Sequence, residues 1–425
     1  MVFLRVFLVL LFLLPFTGVR AQEVLNKTLL KADKRYIKKE YNLAVLDYVK
    51  YLEEFPKDYY ASRQAARCYD RLNDPYNAID HWPVVAENSE VTEADYLDYA
   101  KCLLANNRVP EAKKIFLHLS KSKNPAVAAW GKTYLQPSFA LSDTSSLKVL
   151  ELLNVNTSLS EACPVLFRDK LFFVCTTRTG GLIYSAQDKQ ISESIKVFIP
   201  KDSLNFLPSL LFEKLQQLDV RGQISFSKDG KWMYFSKALS NKELGVKSKI
   251  PFFKHQIFAL NLSTLNLPFP EIIAFEHNLP EYNSMHPSIS EDGQRLYFSS
   301  DRKGSAGGMD LFVCTRNTTS WSAPVNLGPN VNTNGNEVFP YIFADTVLYF
   351  SSDQRPGFGG LDVFTAECSK QGSAFSEPAK NCGEPFNSRF DDFGVFVLAG
   401  GNRGYLSSKR KNNTDEDLYY FIWHR

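Results

Sequence analysis

Apolar and polar side chains alternate in short runs along the second part of the chain, and the runs return at intervals of about fifty residues. The best copy is PSISEDGQRLYFSSDR, Pro287–Arg302, followed by GGMDLF at Gly307–Phe312. It comes back as PYIFADTVLYFSSD, Pro340–Asp353, followed by GGLDVF at Gly359–Phe364. A period of two is that of a strand with one buried face. Asp292-Gly293 between two such runs predicts a hairpin turn, because Gly takes positive φ without steric cost. Weaker copies are Val165–Val174 leading to Gly180–Tyr184, Ser225–Ser236 leading to His255–Phe258, and Arg403–Arg410 leading to Asp417–Tyr420. These five short-stranded units predict a five-bladed β-propeller.

The closure of the ring is also readable. NVNTNGNEVFP, Asn330–Pro340, leads into one good blade, while NVNTSLSEACP, Asn154–Pro164, stands before any blade has begun. Leu147–Leu153 then reads as an outer strand without a blade of its own, and the last blade runs out of chain at Arg425 after three strands. The early strand is expected to complete the last blade, which removes two sheet edges that would invite pairing.

Residues 22–135 follow another period. Ala32, Ala66 and Ala100 are 34 residues apart, as are Ala44, Ala78 and Ala112, and also Tyr48, Trp82 and Phe116. Small residues let two helices approach, and a large aromatic fills the gap between successive hairpins. Period and pattern match a tetratricopeptide-type α-solenoid. Pro83 is expected to kink a helix of its second unit, residues 125–135 to cap the array, and residues 136–146 to link it to the propeller. Residues 1–21, with Arg5, an apolar run from Val6 to Phe16 and then Val19-Arg20-Ala21, read as a cleaved secretory signal. The fold class is thus α plus all-β in two domains, with a signal over 1–21, helices over 22–135, a linker over 136–146 and the propeller over 147–425. The mature protein is expected to be exported to the periplasm, with association at the outer membrane as one setting, and no later stretch is apolar enough to span a bilayer as a helix.

Composition changes this picture little. The chain is 44% hydrophobic with a formal charge of +3, and removing Arg5 and Arg20 leaves 47 basic against 46 acidic residues. No electrostatic nucleic-acid surface follows from that balance. Seven cysteines cannot all pair within the chain. Cys163 with Cys175, and Cys368 with Cys382, lie near enough for pairing within a blade, but a buried small hydrophobe is the favoured reading of each. No Cys or His spacing suits a metal, and no cofactor is expected.

The chemistry-bearing residues recur rather than stand alone. Asp292, Gly293, Asp301, Arg302, Asp310, Asp353, Arg355, Asp362 and Asp417 occupy fixed places in the blades. A ring of carboxylates for metal or sugar is one reading; the favoured one is architectural, with Asp side chains tying turns and backbone amides. Ser225–Trp232 (SFSKDGKW) comes near a sialidase-type box, but Asp229 adjoins Gly230, as in a hairpin turn. No H-E-x-x-H or G-x-S-x-G setting is present, and His286 before Pro287 reads as packing where a strand begins. The insert Lys201–Arg221 places Leu207, Leu210, Leu211, Leu215 and Leu218 near one helical face. Leu207, Leu211 and Leu215, with Tyr48, Trp82 and Phe116 of the helical unit, are the candidate partner-binding residues. Lys237–Phe253 is a second long loop, within the second blade.

Asp292–Arg302, Gly307–Phe312, Trp321–Gly328 (WSAPVNLG) and Val331–Glu337 (VNTNGNE) together resemble the phrases of Bacteroidota envelope proteins that join tetratricopeptide repeats to a WD40-like, TolB-type propeller. The likeness is to the PorE-like proteins of type IX secretion, a system that also supports gliding motility. It implies a scaffold that binds envelope proteins. PorE-like proteins continue into an OmpA-type domain and this chain stops at Arg425, so peptidoglycan binding is not carried over. A non-enzymatic envelope scaffold is the expectation, with a glycan-binding or carbohydrate-active propeller, built on an aromatic-lined central funnel, as the alternative.

Overall fold

The computed structural model of the chain describes residues 27–423 except 39, 73, 107, 136–146, 177–192, 210–212, 249–251, 319, 369–373 and 412–414. The proposed signal and linker therefore lie outside the described residues. The chain divides into two compact units, Met1–Gln136 and Pro137–Arg425.

The first unit is helical: α1 (27–37), α2 (Tyr41–Leu52), α3 (Tyr59–Arg71), α4 (Pro75–Ala78), α5 (Trp82–Ala86), α6 (Glu93–Ala105), α7 (Val109–Leu119) and α8 (Pro125–Leu135). The 34-residue positions are its core: Ala32, Ala44, Ala66, Ala78, Ala100 and Ala112 are all fully buried. Pro83 does more than kink a helix. Ile79–His81 leave the helical ladder, and Pro83 sits in the first turn of a separate short helix, α5, where its missing N–H costs nothing. At the start of α6, Thr92 and Asp95 form a reciprocal capping box, and Asp95 also takes Arg63 at 2.7 Å and Arg67 at 3.1 Å from α3.

The second unit is a propeller of five four-stranded antiparallel sheets. Blade 1 comprises β2 (Glu161–Phe167), β3 (Lys170–Thr176), β4 (Glu193–Pro200) and β5 (Phe206–Pro208); blade 2 comprises β6 (Ser225–Phe226), β7 (Trp232–Ser240), β8 (Phe253–Asn261) and β9 (Ile272–Ala274). Blade 3 runs through β10 (Ser284–Ile289), β11 (Arg295–Ser300), β12 (Asp310–Thr315) and β13 (Val325–Asn326), and blade 4 through β14 (Glu337–Phe343), β15 (Val347–Ser352), β16 (Asp362–Glu367) and β17 (Lys380–Asn381). Blade 5 takes β18 (Asp392–Val397), β19 (Arg403–Ser408) and β20 (Asp417–Trp423) from the end of the chain, and β1 (Leu147–Glu151) from before blade 1. Leu147 pairs with Trp423 and Glu151 with Tyr419, so the early strand closes the ring.

The repeated N-x-N-T-x-x-x-E phrase has a physical purpose. Thr157 donates from N and Oγ1 to Glu161, and Thr333 does the same to Glu337, with Oγ1···Oε1 distances of 2.6 Å in both. The preceding Asn clamps the third strand of the blade before it. Asn332 accepts from Leu311 N and donates to Leu311 O, Asn387 does so with Val363, and Asn156 does so with Leu418, 262 residues away. Each clamp imitates a strand pair, so one blade hands its backbone bonds to the next. The last of them is the lock of the ring.

Two expectations need correction here. The insert does not present a leucine-lined helix. Phe206–Pro208 instead pairs with Phe198–Pro200 as the outer strand of blade 1, and among the described residues of the insert only Glu213–Gln216 forms a helical turn, α9. Leu207 is exposed on the strand, Leu215 is fully buried among Val220 and Ile224, and Leu211 lies outside the described residues. Tyr48, Trp82 and Phe116 likewise offer nothing to a partner, because all are at most 1% exposed. None of the seven cysteines is paired.

Candidate functional site

The innermost strands carry a bulge that shapes the propeller axis. In blades 1, 3, 4 and 5 the register between the first two strands slips after Ala162, Met285, Val338 and Phe393. The residue that follows each takes positive φ: Cys163 at 56°, His286 at 56°, Phe339 at 53° and Gly394 at 60°, with Gly222 of blade 2 at 63°. A bulge turns a side chain away from its strand, and these turn toward one another. His286 stacks on Phe339 at 3.9 Å between ring centroids, and Phe339 stacks on Phe393 at 4.6 Å. The two glycines give way to them. A Cβ on Gly222 would come within 2.8 Å of the His286 ring, and one on Gly394 within 3.2 Å of Cys163 Cα. His286, near the start of β10, packs as part of a plug across the axis, where burial drives its pKa well below the usual imidazole range and keeps it neutral.

Beyond the plug, toward the first-to-second strand turns, the axis opens into a funnel of about 400 Å3. All five inner strands line it, through Val165 and Phe167, Ile224 and Phe226, Ile289, Tyr341 and Phe396 among others. Phe167 and Phe226 stack in parallel at 4.1 Å on one side. Tyr341 and Phe396 meet at 5.3 Å, and the Tyr341 hydroxyl donates to Val397 O. Polar groups enter at the mouth, where Lys228 and Glu291 form a 2.7 Å ion pair and that bond raises the Lys228 ammonium pKa. Arg168 lies 5.0 Å above the Phe167 ring and donates to Gly230 O. Apolar walls with a few charged groups are what small-ligand clefts share.

The Asp and Arg residues of the blade motif lie away from this funnel wall. Asp292 caps its own turn, accepting from Ser290 Oγ and Gln294 N, with Gly293 at φ 69°. Asp301 accepts from the amide and side chain of Asn283, and Asp353 does the same for Asn336. Asp310 takes Ala306 N and Asn326 Nδ2; Asp362 takes Gly359 N. Arg302 is 7% exposed, lies over Phe298 and Phe312, and donates to His277 O and Ser284 Oγ; Arg355 donates to Asn330 O. Asp417 is buried, and that burial pushes its carboxyl up to about 6. All but Asp417, for which burial alone is seen, tie a turn or a neighbouring strand. Among the described residues no cluster of His, Cys, Asp and Glu could hold a metal ion, and no helix is long and apolar enough to cross a membrane.

Sequence reasoning named an aromatic funnel without its residues. The wall positions follow no single residue type: Val165, Ser225, Tyr341 and Phe396 line it from equivalent places in the inner strands, and blade 3 contributes Ile289 instead. The available signal was positional, two residues beyond the positive-φ residue in blades 1, 4 and 5.

No protein-family model matches the chain, and no curated protein does. Solved structures do. A glycoside hydrolase is similar over 71% of this chain and 95% of its own, with 10% identity and a TM-score of 0.40. The α-L-arabinofuranosidase of Lactobacillus brevis is similar over 62% and 91%, with 11% identity and a TM-score of 0.38. A puromycin-hydrolyzing peptidase of Mycobacterium tuberculosis is similar over 59% of this chain and 44% of its own, with 13% identity and a TM-score of 0.31, so the chain spans less than half of that enzyme. At these values the likeness speaks of the fold, a β-propeller. It also corrects one expectation. The three similar structures are enzymes by name, so the expectation of a non-enzymatic scaffold does not stand. The likeness by itself assigns no reaction.

Proposed function

We propose that the chain is a carbohydrate-binding or carbohydrate-active propeller protein of the bacterial envelope, and that the axial funnel takes the sugar. The observation that carries this reading is the funnel itself, an aromatic-walled recess with its charged groups confined to the mouth. Sugars offer apolar C–H faces to aromatic rings and hydroxyls to a polar rim, which is the division found here. Glu291 is the carboxylate of the funnel lining, and glycoside hydrolysis in its commonest form needs two flanking the bond. The test therefore reads binding and turnover separately. Mature protein on a glycan array, followed by titration calorimetry and chromogenic glycosides, should give a saturable saccharide signal. Phe226→Ala should weaken it about tenfold, a loss of roughly 1.4 kcal/mol. A chain that retains no saccharide, or binds equally well without Phe226, would overturn the proposal.

The helical unit supports a second reading, docking of an envelope protein on a tetratricopeptide-type array, with type IX secretion or motility as the setting the resemblance implies. Its support is a pair of carboxylates on α3 and α6 beside Lys101. Asp70 remains open to solvent on its outer side, yet surrounding protein pushes its carboxyl and that of Asp98 up, while Lys101 lies 4.4 Å over the Trp130 ring. Crosslinked pull-down from the native envelope should recover one partner with the wild-type chain and lose it with Lys101→Glu. Recovery that ignores this change removes the reading.

A further inference from the structure

The floor of the funnel breaks the repeat at one residue. Between their two flanking strand pairs, the bulges of blades 1, 3, 4 and 5 hold two residues each: Cys163-Pro164, His286-Pro287, Phe339-Pro340 and Gly394-Val395. Blade 2 holds three, Gly222-Gln223-Ile224, between the Arg221 amide, which donates to Ser236 O, and the Ser225–Tyr234 pair. A longer bulge re-aims a side chain, and here that side chain is Gln223, 7% exposed. Its Nε2 donates to Pro287 O of blade 3 at 3.3 Å and to Pro340 O of blade 4 at 2.6 Å, so it reaches past one blade to the next. Those carbonyls follow His286 and Phe339 of the plug in sequence, which places Gln223 in the layer next to it. Two acceptors on Nε2 also fix which end of the amide is oxygen. That oxygen, Oε1, is buried without a partner, and among the described lining residues no other side-chain atom is. Ser225, Ser227, Ser290 and Tyr341 of the same lining all bond within the protein. A buried acceptor left unpaired is costly to the fold.

We infer that the funnel recognises the terminal residue of a sugar chain, and that Gln223 Oε1 accepts a hydroxyl of that residue at the floor. This rests on the saccharide reading proposed above and narrows it to chain ends. The plug makes the funnel blind: His286, Phe339 and Phe393 are each 1% exposed and stack on one another. A ligand therefore enters and leaves by one mouth. An internal residue of a chain would have to bring both its neighbours back through that mouth, between the Phe167–Phe226 and Tyr341–Phe396 walls, whereas a terminal residue needs room for one. The volume of about 400 Å3 lies toward the small end of small-ligand clefts. The requirement for a donor follows from Oε1, which can only accept. A hydroxyl completes it, while an apolar or carboxylate end leaves it unpaired. Sites built to bond a hydroxyl reject the analogue that lacks it far more strongly than apolar pockets reject a change of size. His286 Nε2, in the plug, is the neighbouring buried group without a partner. A water shared by it and Oε1 is the rival explanation.

The test uses the mature chain on an array of linear oligosaccharides that share internal sequences and differ in their terminal residue. Bound members should sort by terminal residue, and the matching terminal disaccharide should compete with them. Calorimetry then compares that disaccharide with its monodeoxy analogues at the terminal ring. Loss of one hydroxyl should weaken binding at least tenfold, and Gln223→Leu should bind that analogue and its parent equally. Should Gln223→Leu fail to fold, the deoxy series on the wild-type chain decides alone. Hits that sort by internal sequence, deoxy analogues that all bind like the parent, or a Gln223→Leu chain that still discriminates would overturn the inference and leave the saccharide reading standing. The second of these is the outcome that a water shared with His286 requires. Binding of no saccharide at all removes the reading and the inference together.

Discussion

At the seam into blade 4, Asn336 accepts from Met309 N of blade 3 and is itself held by Asp353, whose carboxylate takes its amide at 2.8 Å and its Nδ2 at 2.6 Å. At the seam into blade 5 the same two positions are Asp391 and Lys409. Asp391 accepts from Leu361 N at 2.9 Å, and Lys409 holds it at 3.3 Å while reaching Glu416 of the following strand at 3.5 Å. Blade 1 makes the same junction with hydroxyls, Ser160 and Thr176. One geometry is thus built from a carboxylate and an amide, from a buried ion triad, and from two hydroxyls. What the fold demands at this place is an acceptor for the preceding blade and a donor–acceptor complement to fix it. The charges are free to vary, but their energetic stakes are not equal.

The largest effect is expected at blade 5. Lys409 is 12% exposed between Asp391 and a fully buried Glu416, and those carboxylates raise its ammonium pKa against the burial that lowers it. Lys409→Met removes the cation and strands two buried carboxylates, at a cost of about 3–5 kcal/mol. Urea unfolding of the propeller transition should shift accordingly. A shift below about 1 kcal/mol would mean that the triad is solvated after all and that the seams are energetically alike.

A second glutamate tests how much of this depends on the cation. Glu193 of blade 1 holds the place of Glu416, opposite Thr176 as Glu416 lies opposite Lys409. Its cation is weaker, with Arg221 at 3.7 Å, and Gly222 N donates to it at 2.8 Å. Burial dominates and pushes its carboxyl up to about 7, from 4.5. The folded chain therefore keeps this proton while the unfolded chain releases it. The associated stability is whole below about pH 4.5 and is lost as pH rises through 7. Glu193→Gln should remove this loss across that window and match or exceed the parent at pH 8. Because buried His255 and His286 contribute a rise with pH in the same window, the readout is the difference between parent and variant, and a variant with an unchanged slope would contradict this.

Much of the frame was legible because it is written in side chains that replace backbone bonds. Asn156, Asn332 and Asn387 each clamp a distant strand, and the N-x-N-T phrase that holds the first two marked the start of a blade and the closure by Leu147–Glu151. The plug was not legible. Positive φ suggests Gly, and Gly222 and Gly394 fit, but Cys163, His286 and Phe339 hold the same conformation because the packed axis over-determines it. Nor was the funnel, whose wall is assembled from unlike residues in five blades. The leucine spacing of 207–218 misled for a further reason. A strand edge at Phe198–Pro200 needed pairing, and this claimed Leu207 before any helical face could form. Tyr48, Trp82 and Phe116 are large residues buried in the helical unit, and that burial seals them from any partner.

The smallest and most discriminating change is made at blade 4. Asp353→Lys alone places an ammonium against the Asn336 amide donors, and Asn336→Asp alone brings two carboxylates together. Each should cost about 1–3 kcal/mol, the order expected when a partly buried group loses its partner. Together they rebuild the pair of blade 5 in blade 4. A double-mutant cycle should then show favourable coupling of about 1–2 kcal/mol, as contacting residues of one network do. Recovery should be incomplete, because the place of Glu416 is held in blade 4 by Leu361, which leaves the introduced ammonium one carboxylate where Lys409 has two. Coupling near zero would mean that the charge pattern of each seam is tied to its own blade and cannot be exchanged. Full recovery would mean that Glu416 adds nothing, and that the buried triad is a pair with a bystander.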